Sequence, residues 1–223
     1  MSLFNRLVTE TQAEREYLLS SPIIQKCFTG QINKADYIAF LNQAFHHVKH
    51  TVPLLMAVGT RLNDSQEFIR EAVAEYIEEE IGHQEWILND IEAAGGDKEA
   101  ARASAPAFET EMMVSYAYDL VNRVNPLGFF GMVHVLEGTS VAVADNAAGA
   151  IQQALGLPDK AFSYLRSHGS IDLEHVKFFE DLMDKIEDPK EQDIIVNSAK
   201  KFYRLYADIF RNLHQDLLLN QAA

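Results

Sequence analysis

Residues 126–155 read PLGFFGMVHVLEGTSVAVADNAAGAIQQAL, and the architecture turns on them. Leu127, Phe129, Phe130, Met132, Val133, Val135, Leu136, Val141 and Val143 fall on almost every face of a helix. A helix apolar nearly all round belongs at the centre of a bundle, not on its surface. Asn125-Pro126 opens it, and Gly156 with Pro158 closes it, because Pro suits a first turn and Gly a C-terminal stop. Gly128, Gly131 and Gly138 are costly inside a helix. They fit where a backbone must approach another helix or a ligand. Glu137 stands in this apolar run, one turn after His134. A desolvated carboxylate needs a partner, so Glu137 either pairs with an Arg or Lys or ligates a metal.

Outward from this helix the chain reads as helix after helix. Ser2 caps a first helix to about Leu19, and Ser21-Pro22 opens a short second one. Gly30-Gln31-Ile32-Asn33 is a break with Asn33 as N-cap. A long helix is predicted from Lys34 to about Leu62, bent at Pro53. Its apolar stripe is Tyr37, Leu41, Ala44, Phe45, Val48, Val52 and Leu55. By angle His46 and His50 point away from that stripe, toward solvent or an interface, and His47 lies at its edge as a pocket candidate. Asn63-Asp64-Ser65 ends this helix and caps another, predicted from Gln66 to Ala94 and stopped by Gly95-Gly96. Further helices are expected from Pro106 to Val124, from Pro158 to Ile186 and from Pro189 onward, the last with Ile195, Phe202, Leu205, Ile209 and Leu213 on its inner side. Short loops joining seven or more helices give an all-α, bundle-like fold.

The Gln66–Ala94 stretch is dense in acid. Most of it is a solvated face: Glu71, Glu75, Glu78 and Glu85 lie opposite an apolar arc of Ile69, Val73, Ile77, Ile87 and Ile91. Glu80 falls roughly 20° from the centre of that arc, so it is the inward carboxylate, with Glu79 as the alternative. His83 lies one turn on, and Tyr76 is on the same side. A second group, HGSIDLEH at 168–175, has the spacing H-x3-D-x2-H. At about 100° per residue, Asp172 sits roughly 40° from His168 and His175 roughly 20° to the other side. Two imidazoles and a carboxylate on one stripe are half of a metal site; the alternative is a polar surface face with two ordinary histidines. Glu80, His83, Glu137, His168, Asp172 and His175 together can hold two first-row metal ions, with carboxylates bridging.

The bulk numbers exclude other classes. A chain of 223 residues is expected to be one domain, 1–223. No uninterrupted apolar run reaches the ~18 residues of a membrane span, and MSLFNRLVTETQAERE lacks the apolar core of a signal peptide. The single cysteine, Cys27, rules out an internal disulfide framework and suits a reducing cytoplasm; it reads as a buried structural thiol. A net charge of −14, from 19 basic and 33 acidic residues, is a poor footprint for nucleic acid or an anionic membrane.

With these residues in view, the chain resembles the haem-oxygenase-like fold of TenA, PqqC and CADD-type proteins, and more closely the haem-oxygenase-like dimetal oxidases and oxygenases. The resemblance rests on His83 in EEEIGHQEWILNDIEAAGGD, on Glu137 in HVLEGTS, and on His168, Asp172 and His175. Glu80 matches the first carboxylate of some members; Tyr76 stands where some CADD-type members have glutamate. The resemblance implies a haem-oxygenase-like multi-helix bundle and a non-haem, di-iron enzyme, with manganese as the other metal, that activates dioxygen on a small organic substrate. It also implies a homodimer. His134, Tyr76 and His47 are then candidates for supporting or pocket residues. Two alternatives come from the same fold. One is a TenA-like, metal-independent hydrolase of thiamin-related pyrimidines, although Cys27 lies on a different segment from that family's catalytic cysteine. The other is a haem-binding protein with His47 or another histidine as axial ligand.

Overall fold

Helix breaks set the architecture of this chain. A computed structural model describes the backbone of residues 1–169 and 173–220 and the side chains of residues 1–167 and 176–213. Its helices are α1 (Leu3–Glu10), α2 (Gln12–Leu19), α3 (Pro22–Phe28), α4 (Lys34–Val48), α5 (Thr51–Arg61), α6 (Glu67–Glu80), α7 (His83–Ala93), α8 (Lys98–Ala103), α9 (Phe108–Asp119), α10 (Phe129–Leu155), α11 (Ser163–Gly169), α12 (Leu173–Asp184) and α13 (Pro189–Asn220). Short 3-10 turns and one π-type turn at Leu120–Val124 complete it, and the described residues contain no strand.

Helix α10 is the axis. It packs against α11 and α13, while α4 packs on α7, and α5 on α6. Phe129, Phe130, Met132 and Val135 are all buried, as the all-round apolar pattern requires. The stretch Pro126–Leu155 has the length and mean hydropathy, 1.5, of a helix able to cross a membrane, but most of its most apolar window lies inside the bundle. The glycine argument is met at Gly131: a Cβ there would come within 2.6 Å of the Ala199 amide nitrogen on α13. The two backbones touch, and Ser198 Oγ donates to the Gly128 carbonyl at 2.7 Å across the same contact. Gly138, by contrast, has open space around it.

Four stretches predicted as single helices are broken. The first divides at Thr11, whose hydroxyl donates to the Leu7 carbonyl at 2.6 Å. The Lys34–Leu62 helix stops at Val48 and restarts at Thr51. Pro53 explains this: its ring excludes the carbonyl four residues back, at Lys49, so the helix ends there and Pro53 takes a first-turn position where no N–H is needed. The Gln66–Ala94 helix stops at Glu80 and restarts at His83, around Gly82 with φ of 95°, a left-handed conformation that favours glycine. The stretch predicted as a helix from Pro158 to Ile186, with Gly169-Ser170 as a bend or a boundary of two pieces, contains a 3-10 turn at Asp159–Ala161 and then α11 and α12. The predicted N-cap at Asn33 is present with its full reciprocal pairing to Asp36.

His46 is also corrected. It is buried rather than turned to solvent. Its Nδ1 accepts from Lys49 Nζ at 3.1 Å and its Nε2 donates to Ser104 Oγ at 2.8 Å. Burial, with Lys49 and His50 nearby, pushes its pKa down to about 4. Helix α4 is covered on more than one face, with Gln43, His46 and His47 buried beside the apolar stripe, so a residue turned away from that stripe still meets protein, here Ser104 after α8.

Candidate metal centre

Glu80 ends α6 and His83 begins α7. The left-handed turn at Gly82 folds the chain between them, so His83 Nδ1 stands 3.1 Å from Glu80 Oε2. The two residues are neighbours, as the spacing predicted, but across a turn rather than along a helix. The His83 ring also lies against Trp86, with centroids 4.2 Å apart. Glu79 is exposed and Glu80 half-buried.

Glu80 and Glu137 face one cavity, which His47, Tyr76, Ser140, Tyr164 and Tyr206 line with apolar side chains of α5 and α10. No Lys or Arg is among its lining residues, and among the described residues no cation pairs with Glu137. Burial first, then Glu80 and Glu79, push the Glu137 pKa up to about 8. That is the signature of a desolvated carboxylate beside like charge. The Tyr76 hydroxyl is buried with no hydrogen-bond partner, and burial and the surrounding glutamates, Glu137 foremost, raise its pKa far above the usual phenol value. Its ring packs edge-on against Phe178.

Of the other sequence candidates, His47 lines the cavity, is buried and meets the Tyr206 ring edge-on. His134 does not line it: the ring stacks over Phe179 and meets Tyr203 edge-on, and burial pushes its pKa down to about 4. Asp172 and the side chains of His168 and His175 lie outside the described residues. Among the described residues no group of three or more His, Cys, Asp or Glu side chains converges as a metal site. What the described part contributes is two carboxylates on one cavity, a histidine held against one of them, and an orphaned phenol. A divalent cation would relieve the repulsion between the carboxylates and the cost of burying them, so this donor set fits a first-row metal.

Sequence reasoning missed Asp90, one of the acids of the Gln66–Ala94 stretch. It is fully buried. Its Oδ1 accepts from the Ser163 amide at 3.0 Å and the Ser163 hydroxyl at 2.5 Å, and its Oδ2 accepts from the Tyr164 amide at 2.8 Å. An acid of α7 therefore caps the start of α11. A signal was present: Asp90 lies three residues after Ile87 and one before Ile91, inside the apolar arc. Tyr164 and Tyr206 were missed as cavity residues; Tyr206 falls on the inner stripe of α13 between Phe202 and Ile209.

The fold is shared widely. A domain of unknown function with a heme oxygenase-like fold from Shewanella denitrificans superimposes with a TM-score of 0.88 at 24% identity, over 98% of this chain and 94% of that one. A TenA homologue from Pseudomonas syringae pv. tomato gives 0.81 at 11% identity, over 96% and 93%. A CADD-like protein of unknown function from Nostoc punctiforme gives 0.74 at 16% identity, over 96% and 97%. No curated protein matches the sequence. Residues 38–207 match the family described as iron-containing redox enzymes. With that match spanning most of the chain, and with the helical bundle seen here, this protein belongs to the iron-containing redox enzyme family of haem-oxygenase-like fold.

Proposed function

We propose that this protein is a non-haem dimetal oxidase or oxygenase, with two iron ions as its cofactor, acting on a small organic substrate with dioxygen. The observation that carries the reading is the pair Glu80 and Glu137 on one cavity without a Lys or Arg to neutralise them. His83 at 3.1 Å from Glu80 adds an imidazole, and the sequence spacing of His168, Asp172 and His175 offers three more ligands. Bound iron would supply the electrons and open coordination positions for reducing dioxygen. The chain's own residues do the rest. Glu80 and Glu137 set two carboxyl groups on one cavity, and Glu137 can give up a proton there when a cation binds. Tyr76 offers a phenol proton donor beside them. The walls of Leu55, Phe129, Met132 and Leu136 limit the entry of water.

The hydrolase reading is weaker on this structure. Cys27 is buried on α3, and burial with Asp36 pushes its thiol up to about 11, which leaves little thiolate for nucleophilic attack. It also does not line the carboxylate cavity.

The test is metal content after anaerobic iron loading, compared with Glu137→Ala and His168→Ala. About two irons per chain, as two groups of ligands require, and loss of at least one in each variant, is the expected result. Folded wild-type protein that takes up no iron overturns the reading, and a Soret band on haem addition without iron uptake replaces it with haem binding.

A further inference from the structure

A second cavity adjoins the carboxylate cavity, and its chemistry differs. Ser140, Tyr164 and Tyr206 line both. Beyond them the second cavity is walled by Ile24, Phe28, Phe40, Ala144, Ala147, Ile151 and other apolar groups, and no charged residue lines it. Cys27, on its wall, is buried.

Helix α10 runs along both spaces. Its residues Met132, Val133, Leu136 and Glu137 face the carboxylate cavity, and Val143, Ala144, Ala147 and Ile151 face the apolar one. Ser140 is the junction. From Ser140 to Ile151 the helix rises about 16 Å, so the apolar space is long rather than round. Small side chains, Ala144 and Ala147, keep it open. At the junction end the Thr139 hydroxyl, buried and lining the chamber, has no hydrogen-bond partner. A buried hydroxyl without a partner costs about 1–3 kcal/mol, which the polar end of a ligand would offset.

We propose that this chamber receives the hydrocarbon chain of the substrate, an aliphatic compound whose polar end lies at Thr139 and Ser140 and so beside Glu137. The inference rests on the oxidase reading for the chemistry at that polar end; the chain-binding chamber itself does not. An extended apolar chain matches the length and the uncharged walls. A charged metabolite would bury its charge there without a counterion.

The experiment uses the full-length, metal-free protein and uncharged probes, the n-alkanols from butanol to decanol, titrated by calorimetry. Each methylene buried is worth about a three- to fourfold gain in affinity. The expected result is that gain at each step, up to a length at which the chamber is full and affinity levels off. Ala147→Trp, at a half-buried wall position, shortens that length, and Ala144→Phe does so if it folds. Affinity that does not vary with chain length overturns the proposal, as does a folded Ala147→Trp protein with the wild-type length profile. Iron uptake on the same preparations separates the two ideas. Iron binding with a flat alkanol series removes the chamber alone, whereas a graded series without iron uptake removes the oxidase reading and keeps the chamber.

Discussion

Two buried acids of this bundle behave in opposite ways. Asp90 is fully enclosed yet satisfied, accepting three hydrogen bonds from the first residues of α11. Glu137 faces a cavity with Glu80 beside it, and no described group donates to it. Burial raises the pKa of both, but at Asp90 the Ser163 and Tyr164 donors oppose the effect and at Glu137 nothing does. The first carboxylate is committed to holding helices together. The second is held where burial and neighbouring carboxylates both disfavour its ionised form, the kind of perturbed group that clusters at functional sites.

Substitutions can break this contrast. Asp90→Ala strips the cap from α11 and leaves buried donors unpaired, so a loss of about 4 kcal/mol is expected, or about a 10 °C fall in thermal midpoint. An unchanged midpoint would show that Asp90 is no more than a passenger. Two buried histidines extend the comparison to bases. Burial holds both at a pKa of about 4, His46 with Lys49 and His50 adding to it and His134 with Arg15 adding to it. Unfolded histidine takes its proton near 6.5. Above that pH neither state is protonated and full stability is present. As pH falls from about 6.5 to about 4 the unfolded chain binds protons that the fold refuses, and each ring removes on the order of 3 kcal/mol. Urea midpoints of wild type and His134→Phe across that window should diverge, with the variant losing less.

Glu137→Gln sharpens the contrast from the other side. Removing a desolvated charge next to Glu80 is expected to stabilise the metal-free protein by about 2 kcal/mol, read as a midpoint raised by about 5 °C, while iron uptake falls. Destabilisation would mean that Glu137 has a structural partner after all. The smallest effect is expected at Gly82→Ala, where the left-handed φ of 95° costs an L-residue about 1 kcal/mol although space is open around it. Nitrogen chemical shifts of His83 would report whether its contact with Glu80 survives.

Much of this was legible in the chain. The all-round apolar character of Phe129–Val135 placed α10 at the centre, and the Asn33 cap and Gly156 stop were readable from single residues. Glu80 and Glu137 were marked as inward acids because each lies in an apolar arc. What escaped reading was the effect of breaks. A wheel drawn through Pro53 or Gly82 carries its angular error into every later residue, whereas His46 was turned outward because the wheel sees one apolar stripe and not Ser104, 58 residues on, that covers the other face. Asp90 escaped for another reason: its partners, Ser163 and Tyr164, are more than 70 residues away, and no local pattern reveals a cap supplied by a distant helix. The pairing of the two cavities through Tyr164 and Tyr206 is likewise a tertiary fact.

The grip of Asp90 on α11 makes α7 a ruler. His83 stands at its first position and Asp90 seven residues later, a distance of about 10 Å along the axis. One end of α7 holds an imidazole beside Glu80, and the other fixes where the segment bearing His168 begins. Any slip or rotation of this single helix therefore displaces both at once. Insertions or deletions within 83–90 should be far less tolerated than changes of the same size around the more exposed Lys98–Glu99 start of α8, and a designer transplanting the Glu80–His83 pair to another bundle would have to carry α7 whole.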